Sequence, residues 1–172
     1  DVRLAMRKDD FTYEIVVCDG GSADGSREWL AAQKDIVLVG KRTLDGAVDA
    51  NNHAYLVSRG EYVLTLNDDC RLLGSPRRLI KMLRDECNDL GQIALRFNHE
   101  GRGMINSVHT GAPSIYGNYS LTHRRLTNLV AYIQGGYWSP VYYTYGGDVE
   151  LSMWIWALGL PAGVSDEQIE AA

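Results

Sequence analysis

Three short runs rich in β-branched residues, YEIVVCD (13–19), DIVLVG (35–40) and EYVLTLN (61–67), alternate along the chain with stretches of helical spacing. Apolar runs this short, bounded by glycine and acidic residues, read as buried strands. The first runs into the loop GGSADGS, where Ser22 or Asp24 is placed to cap the helical stretch SREWLAAQ, with Trp29 and Leu30 as its apolar face. After the second, DGAVDANNHAYLVS (45–58) predicts a helix with Val48, Tyr55 and Leu56 as core contacts and Gly60 as its stop. After the third, Pro76 starts an amphipathic helix, PRRLIKMLRDECND, with Leu79, Met82, Leu83 and Cys87 at helical spacing. Strand and helix repeated three times predict an α/β domain with a mainly parallel sheet flanked by helices. Beyond Gly91, QIALRFN and MINSVHT predict two more strands joined by HEGRG. A Gly- and Tyr-rich region then leads to DVELSMWIWALG, a helix opened by Asp148 and closed by Gly159. The tail SDEQIEAA carries no strong pattern.

The chain has 172 residues, enough for one domain with a core and too few for two. Apolar residues at 45% and charged residues at 23% are the balance of an ordinary globular protein, and no internal repeat or linker divides it. A formal net charge of -5 gives no general attraction for nucleic acid or an anionic membrane surface. No apolar run reaches the length of a transmembrane segment. Cys18, Cys70 and Cys87 form no CxxC pair, and His53, His99, His109 and His123 lack ligand spacing, which argues against disulfides and zinc. The absence of an initial Met and the ending soon after a helix suggest one domain over 1–172, truncated at both ends. A cytoplasmic domain, with the inner face of a membrane as a further working place, is the expectation.

Ligands of a parallel α/β sheet bind outside the carboxyl ends of its strands. Asp19 closes the first strand here, and Asp68 and Asp69 close the third, 69 − 19 = 50 residues later. Each has a plain structural alternative. Asp19 with GGSADG could be a tight turn and a helix cap; the loop is neither a dinucleotide fingerprint nor a P-loop nor a calcium loop. Asp68 and Asp69 could cap the turn before Pro76, yet two adjacent carboxylates repel each other. A hard divalent cation, held by one or two carboxylates and by substrate phosphates, accounts for the pair better. Asp148 in TYGGDVELSMW could be a helix N-cap, or a base reached by an acceptor across the two glycines. The aromatics before it, Tyr137, Trp138, Tyr142, Tyr143 and Tyr145, suit stacking on sugar rings, although several belong to the core.

Three of these segments, in order and at similar spacing, resemble family 2 glycosyltransferases of the GT-A fold: YEIVVCDGGSADGSREWL, GAVDANNHAYLVSRGEYVLTLNDD and GGYWSPVYYTYGGDVELSMWIWALGL. The resemblance runs from about residue 13 to about residue 160. It implies a Rossmann-like α/β domain that moves a hexosyl or rhamnosyl group from a UDP- or dTDP-linked sugar to an acceptor hydroxyl, with inversion. It further implies that Asp19, with Ser22 beside it, meets the donor's base, and that Asn51 and Asn52 lie near the nucleotide. Asp68 would face the ribose, Asp69 would bind Mn²⁺ or Mg²⁺, and Asp148 would be the general base. The acceptor would be a polysaccharide, a lipid-linked glycan or a protein. The chain departs from the family's pattern in three places: the family's opening strand has no counterpart, Gly147 stands where many members carry an acid, and no metal-ligating His follows the last helix. A non-catalytic nucleotide-sugar or protein-binding domain is one alternative. A sugar nucleotidyltransferase is another, although no catalytic Arg or Lys loop follows the first strand.

Overall fold

A computed structural model of the chain describes residues 2–7, 11–43, 45–86, 90–99, 104–105, 119–160 and 162–171. A short helix, α1 (Val2–Met6), precedes the first two predicted strands, which pair in parallel: β1 (Ile15–Asp19) lies beside β2 (Ile36–Gly40), in register from Ile15–Ile36 to Asp19–Gly40. Between them runs α2 (Ser26–Ala31). Gly25 takes the N-cap position in a left-handed conformation, and the Asp24 carboxylate accepts the Ser26 N–H at 3.0 Å, so Asp24 rather than Ser22 serves this end. Trp29 does not form an inward face, for it stands 57% exposed. After β2 comes α3 (Gly46–Val57), which buries Val48 and Tyr55 as the spacing requires. Leu56 is 77% exposed instead, because one residue's turn of about 100° carries it off the face that Tyr55 occupies. The helix stops at Ser58, whose hydroxyl donates to the Tyr55 carbonyl; Gly60 lies beyond the cap.

The remaining strands form a second, mixed sheet. β3 (Tyr62–Leu64), β4 (Cys70–Leu72), β5 (Gln92–His99), β6 (Met104–Ile105), β7 (Ser120–His123) and β8 (Ala162–Ala171) assemble in the order β3-β7-β5-β8-β4, with β6 on the edge of β5. β5 and β8 run parallel; the pairs β3–β7, β5–β7, β4–β8 and β5–β6 are antiparallel. The α/β class stands, and among the described residues parallel pairing is confined to β1–β2 and β5–β8. The unpatterned tail is thus a strand between β5 and β4. Two flanking backbones supply its ladder, so its polar sequence did not need strand propensity. Of the predicted run MINSVHT, only β6 falls within the described residues.

α4 (Arg77–Lys81) continues into a π-helical turn, Met82–Glu86. Leu79 is fully buried and Met82 and Leu83 pack with it, while Cys87 lies outside the described residues. This cluster joins Leu72, Ile93, Leu95 and Leu121 of the second sheet to Met6. A second cluster gathers Val48 and Tyr55, Val130 of α5 (Arg124–Gln134), Tyr137 and Trp138, and Leu151 and Ile155 of α6 (Gly147–Ala157). The second cluster positions the candidate site.

Candidate functional site

Asp19 ends β1 and is 5% exposed. The Gly21 and Ser22 N–H groups each donate to its carboxylate at 3.2 Å, and the Arg27 guanidinium stands 3.9 Å away. The Ser22 hydroxyl first, then these N–H groups and Arg27, hold its pKa below the usual carboxylate value against the opposing effect of burial. Gly21 adopts a positive φ of 99°, and a side chain there would meet the Arg42 carbonyl at 3.2 Å, so this loop is built closely around its acid. Asp19 is therefore both a turn-forming residue and a buried anion with spare lone pairs.

β2 ends beside it, and Lys41 follows directly: its N–H donates to the Asp19 carbonyl at 2.9 Å. The Lys41 ammonium pairs with Asp45 at 2.8 Å and with Asp49, one turn further along α3. Asn51 and Asn52 take up backbone partners in this structure. The Asn51 amide donates to the Ala47 carbonyl at 2.9 Å. Asn52 holds Trp138 by both backbone groups, accepting its N–H at 2.8 Å and donating to its carbonyl at 2.9 Å. Sequence reasoning could not see this bond, which joins residues 86 apart in the chain.

Asp68 and Asp69 lie in the exposed turn between β3 and β4. The Cys70 thiol, whose pKa burial raises, donates to Asp69 at 3.4 Å. Among the described residues no three His, Cys, Asp or Glu side chains converge as a metal cage. Two adjacent, solvent-facing carboxylates still suit a hard cation that completes its shell with water and substrate phosphate. The donor set fits such a metal.

Asp148 is the second residue of α6, not its cap; Gly146 caps the helix with φ 101°. The two glycines have a packing reason. A side chain at Gly147 would meet Trp138 Cβ at 2.7 Å, and one at Gly146 would meet the Tyr142 ring at 3.0 Å. A side chain at position 147 would have to displace Trp138. The preceding aromatics divide into two groups. Tyr137 and Trp138 are core: Tyr137 stacks on Tyr55 at 4.4 Å, bonds Thr65 at 2.6 Å through its hydroxyl, and has its pKa pushed up by burial to about 12. Tyr142, Tyr143 and Tyr145 face solvent.

Segment 137–146 therefore connects the parts. Tyr137 touches the end of β3 through Thr65, Trp138 is held by α3, and Gly146 opens the helix of Asp148. The carboxylates of Asp19, Asp69 and Asp148 make no hydrogen bond or ion pair with one another among the described residues.

The sequence profile described as Glycosyl transferase family 2 matches residues 3–139. The chain belongs to glycosyltransferase family 2. The matched range holds Asp19, Asp68 and Asp69 and ends 148 − 139 = 9 residues before Asp148. No curated protein matches the chain. Among solved structures, the mannosyltransferase PcManGT from Pyrobaculum calidifontis, in complex with GDP-Man and Mn²⁺, is 19% identical with a TM-score of 0.69, the alignment covering 98% of this chain and 51% of that one. S. aureus TarS 1-349 in complex with UDP is 18% identical with a TM-score of 0.74, covering 98% and 54%. The TarS complex with UDP-GlcNAc is 17% identical with a TM-score of 0.71, covering 98% and 52%. The glycosyltransferase family 2 chain thus has the GT-A-type α/β fold and spans about half the length of these relatives.

Proposed function

We propose that this domain transfers a sugar, hexosyl or rhamnosyl, from a UDP- or dTDP-linked donor to an acceptor hydroxyl with inversion. The observation that carries this reading is Asp19, a buried carboxylate kept ionised at the carboxyl end of a parallel strand in a family 2 chain. Its two oxygens accept the Gly21 and Ser22 N–H groups and the Ser22 hydroxyl, which leaves a lone pair that the imide N–H of uracil or thymine would occupy. Asn51 and Asn52 serve the nucleotide side by fixing α3 and, through Trp138, segment 137–146. Asp68 faces the ribose and Asp69 holds the cation. When bound, Mn²⁺ or Mg²⁺ supplies positive charge that relieves the repulsion between the two carboxylates and neutralises the departing diphosphate. The GDP-Man and Mn²⁺ complex of PcManGT supports this part of the reading.

Asp148 takes the acceptor's proton at its carboxylate while the acceptor oxygen attacks the anomeric carbon from the face opposite the leaving group. A polysaccharide, a lipid-linked glycan or a protein supplies that hydroxyl. No helix among the described residues is long and apolar enough to cross a membrane, and we place the domain in the cytoplasm, with the inner membrane face as its other workplace. A second reading, nucleotide-sugar binding without turnover, gains support from the sheet: among the described residues β1–β2 shares no ladder with β3, the strand that precedes Asp68 and Asp69.

An assay of donor consumption with UDP- and dTDP-sugars and Mn²⁺ separates the two. Asp148→Asn should lower turnover by about 10²–10⁴-fold while the melting temperature stays unchanged. Wild-type binding of donor without any turnover would leave only the second reading.

A further inference from the structure

Thr65 is the last buried residue before the two acids; Asn67, Asp68 and Asp69 beyond it are exposed. β3 stops at Leu64, but the Thr65 N–H still donates to the Ser120 carbonyl at 3.1 Å, so its backbone stays on the sheet. Its side chain ties it to a residue outside the sheet. The Thr65 hydroxyl shares a 2.6 Å hydrogen bond with the Tyr137 hydroxyl, 72 residues away in the chain. Thr122 of β7 is a second partner of that phenol. On the far side the turn closes where the Cys70 N–H donates to the Asn67 carbonyl at 3.3 Å and β4 begins. The two acids therefore hang between β4 and one anchored threonine.

Tyr137 is itself fixed. Its ring stacks on Tyr55 with 6° between the planes and lies 6.1 Å from the Trp138 ring. The Gln134 side chain donates to the Tyr137 carbonyl at 2.8 Å, and Asn52 clamps the next residue, Trp138, by both backbone groups. A phenylalanine would keep all of this packing, because stacking needs only the ring. What the hydroxyl adds is a buried polar group that must be paired, and one partner is the threonine at the root of the acidic turn. The same Tyr137 begins the segment that runs through Gly146 into the helix of Asp148. One phenol thus links the two stretches of chain that bear the carboxylates.

We propose that the Tyr137 hydroxyl is a positioning group: through Thr65 it fixes where the Asp68–Asp69 turn, and with it the cation site, stands relative to the segment that carries Asp148. It touches neither donor nor acceptor, and its role rests on the transferase reading above. Tyr137→Phe and Thr65→Val each remove one hydroxyl and keep the shape. Thr65→Ser keeps the hydroxyl, and Tyr55→Phe removes one from the same aromatic stack without altering the Thr65 bond. On the whole chain, Mn²⁺ alone is titrated by electron paramagnetic resonance, and the amide resonances of residues 66–69 are followed in metal-free protein. Tyr137→Phe and Thr65→Val should each weaken Mn²⁺ binding by about two- to tenfold and shift those resonances, and the double variant should lose no more than either. Thr65→Ser and Tyr55→Phe should bind Mn²⁺ as the wild type does, whatever their melting temperatures. Unchanged Mn²⁺ affinity in Tyr137→Phe and Thr65→Val overturns the proposal, and so does an equal loss in Tyr55→Phe, which would be a plain stability effect. A wild type that binds no Mn²⁺ overturns it together with the Asp69 assignment. Donor consumption, assayed in parallel, keeps the two readings apart: the predicted Mn²⁺ changes without any turnover support the positioning role and sink the transfer.

Discussion

A carboxylate as buried as Asp19 must find donors, and its own loop provides them, which makes its charge part of the folded state. The sign follows directly. A folded pKa below the unfolded one contributes stability that is present above the unfolded value and lost as pH falls through the folded value. Asp24, Asp35 and Asp45 are depressed in the same direction, by Ser26, Arg3 and Lys41 respectively. Thermal stability should therefore hold through neutral pH and decline below about pH 4, where carboxylates protonate. Asp19→Asn should decline less steeply there, and a profile identical to the wild type would contradict the assignment. Asp69 predicts the converse: it is exposed and in a turn, so Asp69→Ala should leave the melting temperature alone and remove the Mn²⁺ dependence of donor binding. At this scale Asp19 was legible, because a strand ending in Asp before a glycine loop is a local pattern; Asp68 and Asp69 do not close the third strand as expected, since β3 stops at Leu64 and they lie in the turn beyond it. The reason for Gly147 was not, since it lies in Trp138, nine residues away and packed against it.

Among the elements, α3 carries more of the site than its length suggests. It buries Val48 and Tyr55, clamps Trp138 through Asn52 and approaches Tyr143 at Gly46. Gly46→Ala combines a positive φ with a backbone clash, and should destabilise the fold by ~1–3 kcal/mol while shifting the amide resonances of segment 139–146. Unperturbed resonances there would remove the clamp from the account. Leu79→Ala, in the other cluster, should cost about 2–5 kcal/mol in urea unfolding without changing that segment. α3 was legible because the spacing of Val48 and Tyr55 falls within one short window, although its stop came at Ser58, two residues before the expected Gly60. β7, α5 and β8 were not, because their signals are non-local. Ser120 and Thr122 are buried polar residues on β7, with Ser120 accepting the Gln92 side-chain N–H at 2.8 Å, and α5 opens on His123, whose ring accepts the Arg125 N–H. β8 is a strand because β5 and β4 flank it.

For the molecule as a whole, the decisive feature is that the Asp19 loop and the Asp68–Asp69 turn follow strands of separate sheets. β1–β2 carries Asp19, whereas Asp68 and Asp69 follow β3 in the larger sheet. Side chains join the two. The Glu14 carboxylate, just before β1, accepts the N–H groups of Arg59 and Gly60 just before β3, the latter at 2.8 Å, and Arg3 of α1 pairs with Asp35 before β2 at 2.6 Å. Glu14→Ala should therefore accelerate hydrogen exchange in β1 and β2 while β5 and β7 keep their protection; uniform acceleration would mean that the sheets unfold as one unit. The sequence foretold the α/β class and the strands that precede the acids, but not this division, which depends on what each strand edge pairs with. The account's central claim is that both sheets contribute to one donor site. Calorimetric titration of UDP and dTDP, with and without Mn²⁺, on the wild type, Asp19→Ala and Asp69→Ala, tests it most directly. The account predicts Mn²⁺-dependent binding in the wild type, weakened in Asp19→Ala and stripped of its metal dependence in Asp69→Ala. Binding by the wild type that neither substitution alters would contradict it.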